Sequence, residues 1–291
     1  MSIYSKDGLA ISQAYIISGE KSNIVYDIDG NIVLQIDPYI EGRTLTFEDN
    51  FSGDALDATK WTYELGYGRN NELQQFWEKC VAVEDGCCVI TAKKLDSNNT
   101  PYESWESGSI NTQDLFSQRY GRFEAKIKFP NIVGAFPAFW LVGTSLHHNW
   151  EEGERWTTTG HWPGCGEVDI VEMIPGNATT AQANLWDSSS TAQNPISLGS
   201  GRSETYNPAE WHIYAFEWTD EYMSMQLDGV EYKKYVWSSF SPSEISAYTG
   251  DEEMMIILNL SVGASGGTPA SSTNEMKMYI DWVRVYAPLE S

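Results

Sequence analysis

Three carboxylates stand close together between Trp162 and Met173: Glu167, Asp169 and Glu172, in the run Gly-Glu-Val-Asp-Ile-Val-Glu. Val168, Ile170 and Val171 give this run strand composition, and alternate residues of a strand share a face. Glu167 and Asp169 therefore point the same way. Glu172 lies an odd number of residues from both, so a regular strand would turn it to the opposite face. One extra residue, inserted as a β-bulge, restores the parity and lines up all three groups. Two carboxyls on one face of a rigid element, about 5–5.5 Å apart, suit cleavage of a glycosidic bond by double displacement. One attacks, and the other gives and then takes a proton. The same groups could equally form an acidic edge strand or an oxygen-ligand calcium site, and the spacing alone does not choose.

The elements that must hold these groups are strands. From Thr44 onward, short apolar runs alternate with Gly, Asn, Asp and Pro; Cys87–Lys93, Gly121–Lys128, Ile213–Glu217, Met223–Leu227, Met255–Leu260 and Met278–Tyr286 have strand composition or alternation. In Arg122-Phe-Glu-Ala-Lys-Ile-Lys the alternation places Phe123, Ala125 and Ile127 inward. Leu227-Asp-Gly-Val signals a hairpin turn. Helical period is confined to a short turn near Ser241–Ala247. The pattern predicts an all-β chain of two packed antiparallel sheets. Residues 143–161 and 187–209 read as long surface loops, of the kind that border a binding site. His147, His148 and His161 lie in the first of them without the spacing or fourth partner of a zinc site.

Bulk properties narrow the partners. The net charge is −23, which opposes nucleic acid, anionic membranes and sulfated or carboxylated polymers; among glycans a neutral one fits better, while acidity by itself more often means only solubility. Aromatic residues make up 13% of the chain, and their flat faces serve both core packing and sugar stacking. Cys80, Cys87, Cys88 and Cys165 lack metal-site spacing and are expected as free thiols, Cys165 as a packing residue. No signal peptide is visible, and no stretch approaches the roughly 20 apolar residues of a spanning helix. Residues 1–42 contain a hairpin pattern, Ile24-Val-Tyr-Asp-Ile and Ile32-Val-Leu-Gln-Ile around Asp29-Gly30-Asn31. Asp27, Asp29 and Asn31 match a calcium loop only loosely, and an ordinary turn is the favoured reading. The division expected is an N-terminal extension, 1–42, and a β-sandwich domain, 43–291.

The acidic run with Trp162-Pro163 before it resembles the active-site strand of glycoside hydrolase family sixteen, in its bulged, laminarinase-like branch. The resemblance extends to Phe51-Ser-Gly-Asp-Ala-Leu-Asp, Lys60-Trp61, Asn70-Asn-Glu-Leu-Gln, Val83-Glu-Asp-Gly and Tyr120-Gly-Arg-Phe-Glu-Ala-Lys-Ile-Lys. It continues through Phe136-Pro-Ala-Phe-Trp140, Trp211 to Trp218, Asn259-Leu-Ser-Val-Gly and Asp281-Trp-Val-Arg-Val-Tyr286, in the family's order over about residues 43–287. It implies a concanavalin-like β-jelly-roll sandwich. It also implies a retaining endo-β-1,3-glucanase that needs no cofactor for catalysis. Glu167 would be the nucleophile and Glu172 the general acid/base, with Asp169 between them. Glu172 then needs a raised pKa, for which a neighbouring anion such as Asp169 and partial burial would both serve.

Trp162 would stack on a sugar and Asn71 would hydrogen-bond sugar hydroxyls. Phe136, Trp140 and Trp186 complete the expected substrate-binding set, although the neighbours of Trp140 suit a buried core equally. The family's structural calcium would correspond to Glu48, the Gly86 carbonyl and Asp281, or these are ordinary turn residues. Three departures touch the subsites and not the carboxylates: Ser109 in place of the usual Arg, Phe136 in place of Trp, and Asn184-Leu185-Trp186 in place of a Thr-Val-His-like segment. The expected substrate is a neutral β-glucan with 1,3-linkages, laminarin-like or mixed with 1,4. A galactan-type polymer is the alternative within the family, and a non-catalytic glycan-binding module the alternative outside it. A monomer meeting its polymer outside the cell is expected.

Overall fold

The computed structural model describes residues 24–26, 32–35, 42–66, 72–95, 104–146, 162–175 and 179–289. Asn71, the possible calcium-loop residues Asp27, Asp29 and Asn31, and the three loop histidines 147, 148 and 161 lie outside them. The chain divides into two compact units, one of residues 1–44 with 289–291 and the other of residues 45–288. The first unit contains the expected hairpin, Ile24–Tyr26 antiparallel to Ile32–Gln35.

The second unit is the two-sheet sandwich. A seven-stranded sheet runs Gly201–Arg202, Thr180–Leu185, Glu167–Ile174, Ala135–Gly143, Met254–Val262, Ser109–Asn111, Thr62–Tyr63. The larger sheet runs Val230–Val236, Tyr222–Leu227, His212–Trp218, Gly121–Lys128, Glu275–Tyr286, Cys87–Lys94, Trp105–Ser107, Gln74–Phe76. Leu45–Asp49 also pairs with Glu275–Tyr286, and Val81–Glu84 with Cys87–Lys94. Among the described residues pairing is antiparallel except between Gln74–Phe76 and Trp105–Ser107, which run parallel. The expected strands are present, most of them a residue or more longer at an end, and the short helix is Ser246–Thr249.

Alternation sorts the side chains between the two faces of each sheet. Phe123, Ala125 and Ile127 face the core and are fully buried. Arg122 and Glu124, on the other face of the same strand, are buried too. Arg122 Nε donates to Glu124 Oε2 at 3.0 Å and its Nη1 to Gln226 Oε1 at 3.1 Å. Sidedness follows the sequence pattern here, but exposure does not, because cross-strand polar partners replace water. From the smaller sheet, Phe139, Leu141, Val168, Val171, Leu258 and Leu260 enter the main core. Its opposite face carries a second apolar cluster of Ala138, Trp140, Val142, Leu146, Cys165, Met255 and Ile257. That face is where the acidic groups emerge.

Because the paired strands of the sandwich begin at Leu45, a chain starting at Gly42 is expected to give one cooperative thermal transition within a few degrees of the full chain. An insoluble or non-cooperative product would place the hairpin inside the sandwich's folding unit.

Candidate active site

The bulge sits in the acidic strand. On one side, Ala138 pairs with Glu172, Phe139 with Val171, then Trp140 with Asp169 and Leu141 with Val168, so Ile170 is left without a partner. On the other side, Asp169 pairs with Asn184 and Glu172 with Gln182, so Ile170 and Val171 together oppose Ala183. Ile170 and Val171 are both fully buried in the main core. Glu167, Asp169 and Glu172 consequently share the opposite face, as the parity argument requires.

Two indoles reach this row. Trp162 Nε1 donates to Glu167 Oε2 at 2.7 Å, and Trp186 Nε1 donates to Asp169 Oδ2 at 3.3 Å. The two rings meet edge to face, 5.5 Å between centroids. Trp186 is held from below, since Tyr248 Oη donates to its carbonyl at 2.6 Å. Gly166 precedes the strand with φ of 82°; a Cβ there would lie 2.9 Å from the Tyr248 ring and 2.8 Å from Met254. Glycine is therefore needed on two counts.

Burial dominates the electrostatics. It pushes Glu172 up from the ordinary 4.5 to about 7, with the charge of Glu167 adding to it, a hydrogen bond with Gln182 opposing it, and Glu72 adding a little more. Asp169 is raised as well, by burial first and then by Glu172 and Glu167, against hydrogen bonds with Trp186 and Asn184. Glu167 and Glu72 are the anions that lift Glu172, and the repulsion between Asp169 and Glu172 expected from the sequence enters as the rise of Asp169. A low-dielectric site cannot keep three adjacent carboxylates all ionised. The row offers a protonated carboxyl near neutral pH beside other acceptors.

Trp140 is on the carboxylate face, cross-strand from Asp169, yet buried in the second apolar cluster with its Nε1 donating to Asn259 Oδ1 at 2.8 Å. Asn259 Nδ2 donates to Ser261 Oγ at 3.0 Å, and Gln74 Nε2 donates to Glu72 Oε2 at 2.7 Å. Phe136 shares the parity of Ala138 and Trp140 and is buried. Ser109 donates to Glu64 Oε2 at 2.8 Å, and both residues are buried. Glu72, Gln182, Asn259 and Tyr248 were not singled out from the sequence. Glu72 had a signal, being the charge inside Asn-Asn-Glu-Leu-Gln, but its approach to Glu172 depends on long-range folding.

The expected calcium positions behave otherwise. Glu48 Oε1 accepts from Arg284 Nε at 2.9 Å, and Asp281 Oδ2 meets Lys126 Nζ at 2.7 Å. Both carboxylates are paired with cations of the chain itself, so the calcium reading draws no support from this arrangement. Among the described residues no group of three or more His, Cys, Asp and Glu could hold one. The four cysteines are free; Cys165 is buried in the second cluster, and burial raises the thiol pKa of all four.

The family model for glycosyl hydrolases family 16 matches residues 69–284. The chain belongs to this family. It is 30% identical over 287 residues to "Glucan endo-1,3-beta-glucosidase A1" of Niallia circulans, covering 89% of this chain and 40% of that protein. A "Beta-glucanase" of Rhodothermus marinus is 26% identical, covering 84% of this chain and 86% of that one. The catalytic domain of an endo-1,3-beta-glucanase (laminarinase) from Thermotoga petrophila superposes with a TM-score of 0.70 at 26% identity, over 85% of this chain and 99% of that chain. The chain spans 40% and 34% of the length of the first two curated relatives it matches. These likenesses fit the jelly-roll sandwich described above. Among the described residues no helix is long and apolar enough to cross a membrane.

The raised pKa of Glu172 has a consequence for stability. Between 4.5 and about 7 the folded chain holds a proton that the unfolded chain has lost. This contribution is full below the unfolded value and is lost as pH rises through the folded one. Glu172→Gln is therefore expected to stabilise the fold by about 1–3 kcal/mol at pH 8 and to change little at pH 4. Thermal or denaturant unfolding at the two pH values checks this; equal effects at both would contradict it.

Proposed function

We propose that this chain is a retaining endo-β-glucanase acting on neutral β-glucans with 1,3-linkages, laminarin-like or mixed 1,3-1,4. The observation that carries the reading is the bulge that sets Glu167, Asp169 and Glu172 on one face, with Glu172 raised to about 7. Glu167 attacks the anomeric carbon while Glu172 gives its proton to the departing glycosidic oxygen. Glu172, now ionised, takes a proton from water, which displaces Glu167 from the sugar and restores both groups. Two inversions give net retention. Asp169 adds acceptor capacity between them, and the Trp162 indole fixes the attacking carboxylate through its 2.7 Å hydrogen bond.

Trp162 and Trp186 supply stacking faces beside the row, with Asn71, Phe136 and Trp140 as the remaining subsite residues proposed. No metal is assigned a part in the reaction. The names of the relatives support a β-glucan, and the net charge of −23 argues for a neutral one. A polymer of that kind is met outside the cell, and the chain is expected to act as a monomer.

Glu172→Gln keeps the shape but cannot donate the proton, so turnover on polysaccharide should fall at least about a hundredfold. Glu167→Gln should abolish accumulation of the glycosyl-enzyme. Near-normal hydrolysis by either variant sinks the assignment. In the unmodified chain, kcat/KM should fall as pH rises past about 7, because the acid loses its proton there. The first product seen by proton NMR, before mutarotation, should be β-configured. An α-configured product would mean the carboxyls stand about 6.5–9.5 Å apart and the reaction inverts. Product analysis across laminarin, mixed-linkage glucan, galactan and sulfated polymers fixes the substrate.

A further inference from the structure

The acidic strand departs from regular sheet pairing at two points, and a buried tyrosine hydroxyl meets the backbone at each. The first is the bulge. Ile170 has no partner on the Ala135–Gly143 strand, and its carbonyl accepts a hydrogen bond from Tyr232 Oη. Tyr232 belongs to Val230–Val236, in the other sheet, so this bond crosses the sandwich. A buried carbonyl at a break in the register is costly to leave unmet. Tyr232 meets it at the residue whose insertion gives the carboxylates one face.

The second point is the start of the strand. Continuing the register one rung beyond Val168–Leu185 sets Glu167 opposite Trp186. Trp186 N donates to the Glu167 carbonyl at 3.3 Å, so the reciprocal bond should run from Glu167 N to the Trp186 carbonyl. The Tyr248 hydroxyl occupies that path. It accepts from Glu167 N at 3.1 Å and donates to the Trp186 carbonyl at 2.6 Å. The ring is itself fixed: it stacks on Trp237, 6.0 Å between centroids and 6° from parallel, and its carbonyl accepts Trp218 Nε1 at 3.0 Å. Gly166 leaves room for it. Burial raises both phenols well above the ordinary tyrosine value, so both stay donors at neutral pH.

We propose that Tyr232 and Tyr248 are positioning residues for hydrolysis: Tyr232 pins the bulge that sets Glu172 relative to Glu167, and Tyr248 pins Glu167 itself. This rests on the hydrolytic reading above. The two act on different partners, which separates their signatures. Misplacing Glu167 slows attack whatever group departs. Misplacing Glu172 slows the first displacement, read in kcat/KM, only when the departing oxygen needs a proton; it slows the later attack of water equally for every substrate.

The test uses the full chain with Tyr232→Phe and Tyr248→Phe. Substrates are laminarin and aryl β-glycosides of a 1,3-linked glucose oligomer, with phenols of graded acidity. Tyr248→Phe is expected to lower kcat at least about tenfold for every leaving group, with KM within about twofold. Tyr232→Phe is expected to lose at least about tenfold in kcat/KM on laminarin and on poor leaving groups, and less than about threefold in kcat/KM on dinitrophenol, steepening the leaving-group dependence. A purely structural role would lower the melting temperature or the active fraction, and would leave unchanged both that dependence and the kcat per active site, counted from the dinitrophenolate burst. If a phenylalanine variant does not fold, 3-fluorotyrosine at the same position keeps the shape while altering the hydroxyl; the same pattern should appear in smaller measure. Folded variants with unmodified kcat and leaving-group dependence overturn the proposal. An unmodified chain that cleaves none of the substrates overturns the hydrolytic reading, and this proposal with it.

Discussion

The site depends on one extra residue. A β-strand alternates its side chains with a period of two, so Glu167 and Glu172 could not share a face in a regular strand. Ile170 supplies the missing step, and its apolar side chain enters the core together with that of Val171. Burial of these neighbours makes the shift hard to undo: sliding the strand by one residue would drive Glu172 into the apolar core and expose valine. The irregularity is thus held by the hydrophobic effect on one face while it serves chemistry on the other.

Electrostatics on the acidic face follow from what surrounds it. Ala138, Trp140, Val142, Met255 and Ile257 form an apolar floor beside the carboxylates, and the two indoles close over part of the row. Such surroundings penalise charge, and the penalty falls on Asp169 and Glu172, whose pKa values rise. Hydrogen bonds with Gln182, Asn184 and Trp186 hold the rise in check. The proposed acid requires such a rise, and here it arises from burial more than from any single neighbour.

The charge of the chain is arranged in keeping with this. On the outer face of the larger sheet, carboxylates are matched by cations, as in Glu48–Arg284 and Asp281–Lys126. In the acidic row they are matched by neutral donors instead. Neutral donors leave a carboxyl free to change protonation, whereas an adjoining Lys or Arg would hold it ionised. The outer-face pairs also explain why the calcium positions implied by family resemblance are not presented as a ligand set.

Much was legible in the sequence because it depends on local period and composition. The alternation in Gly121–Lys128, the hairpin signal at Asp228-Gly229, the strand character of the acidic run and the need for a bulge within it all follow from side-chain spacing. Motifs spread along the chain carried the family. What sequence could not supply were contacts between residues far apart: Tyr232 on the Ile170 carbonyl, Tyr248 between Glu167 and Trp186, Glu72 approaching Glu172, and the salt bridges that occupy Glu48 and Asp281. The spacing showed that three carboxylates could share a face only across a bulge. Tertiary structure decided which neighbours desolvate them and which hydroxyls hold their backbone, because burial and hydrogen-bond partnership are set by the packing of two sheets and not by spacing along one strand.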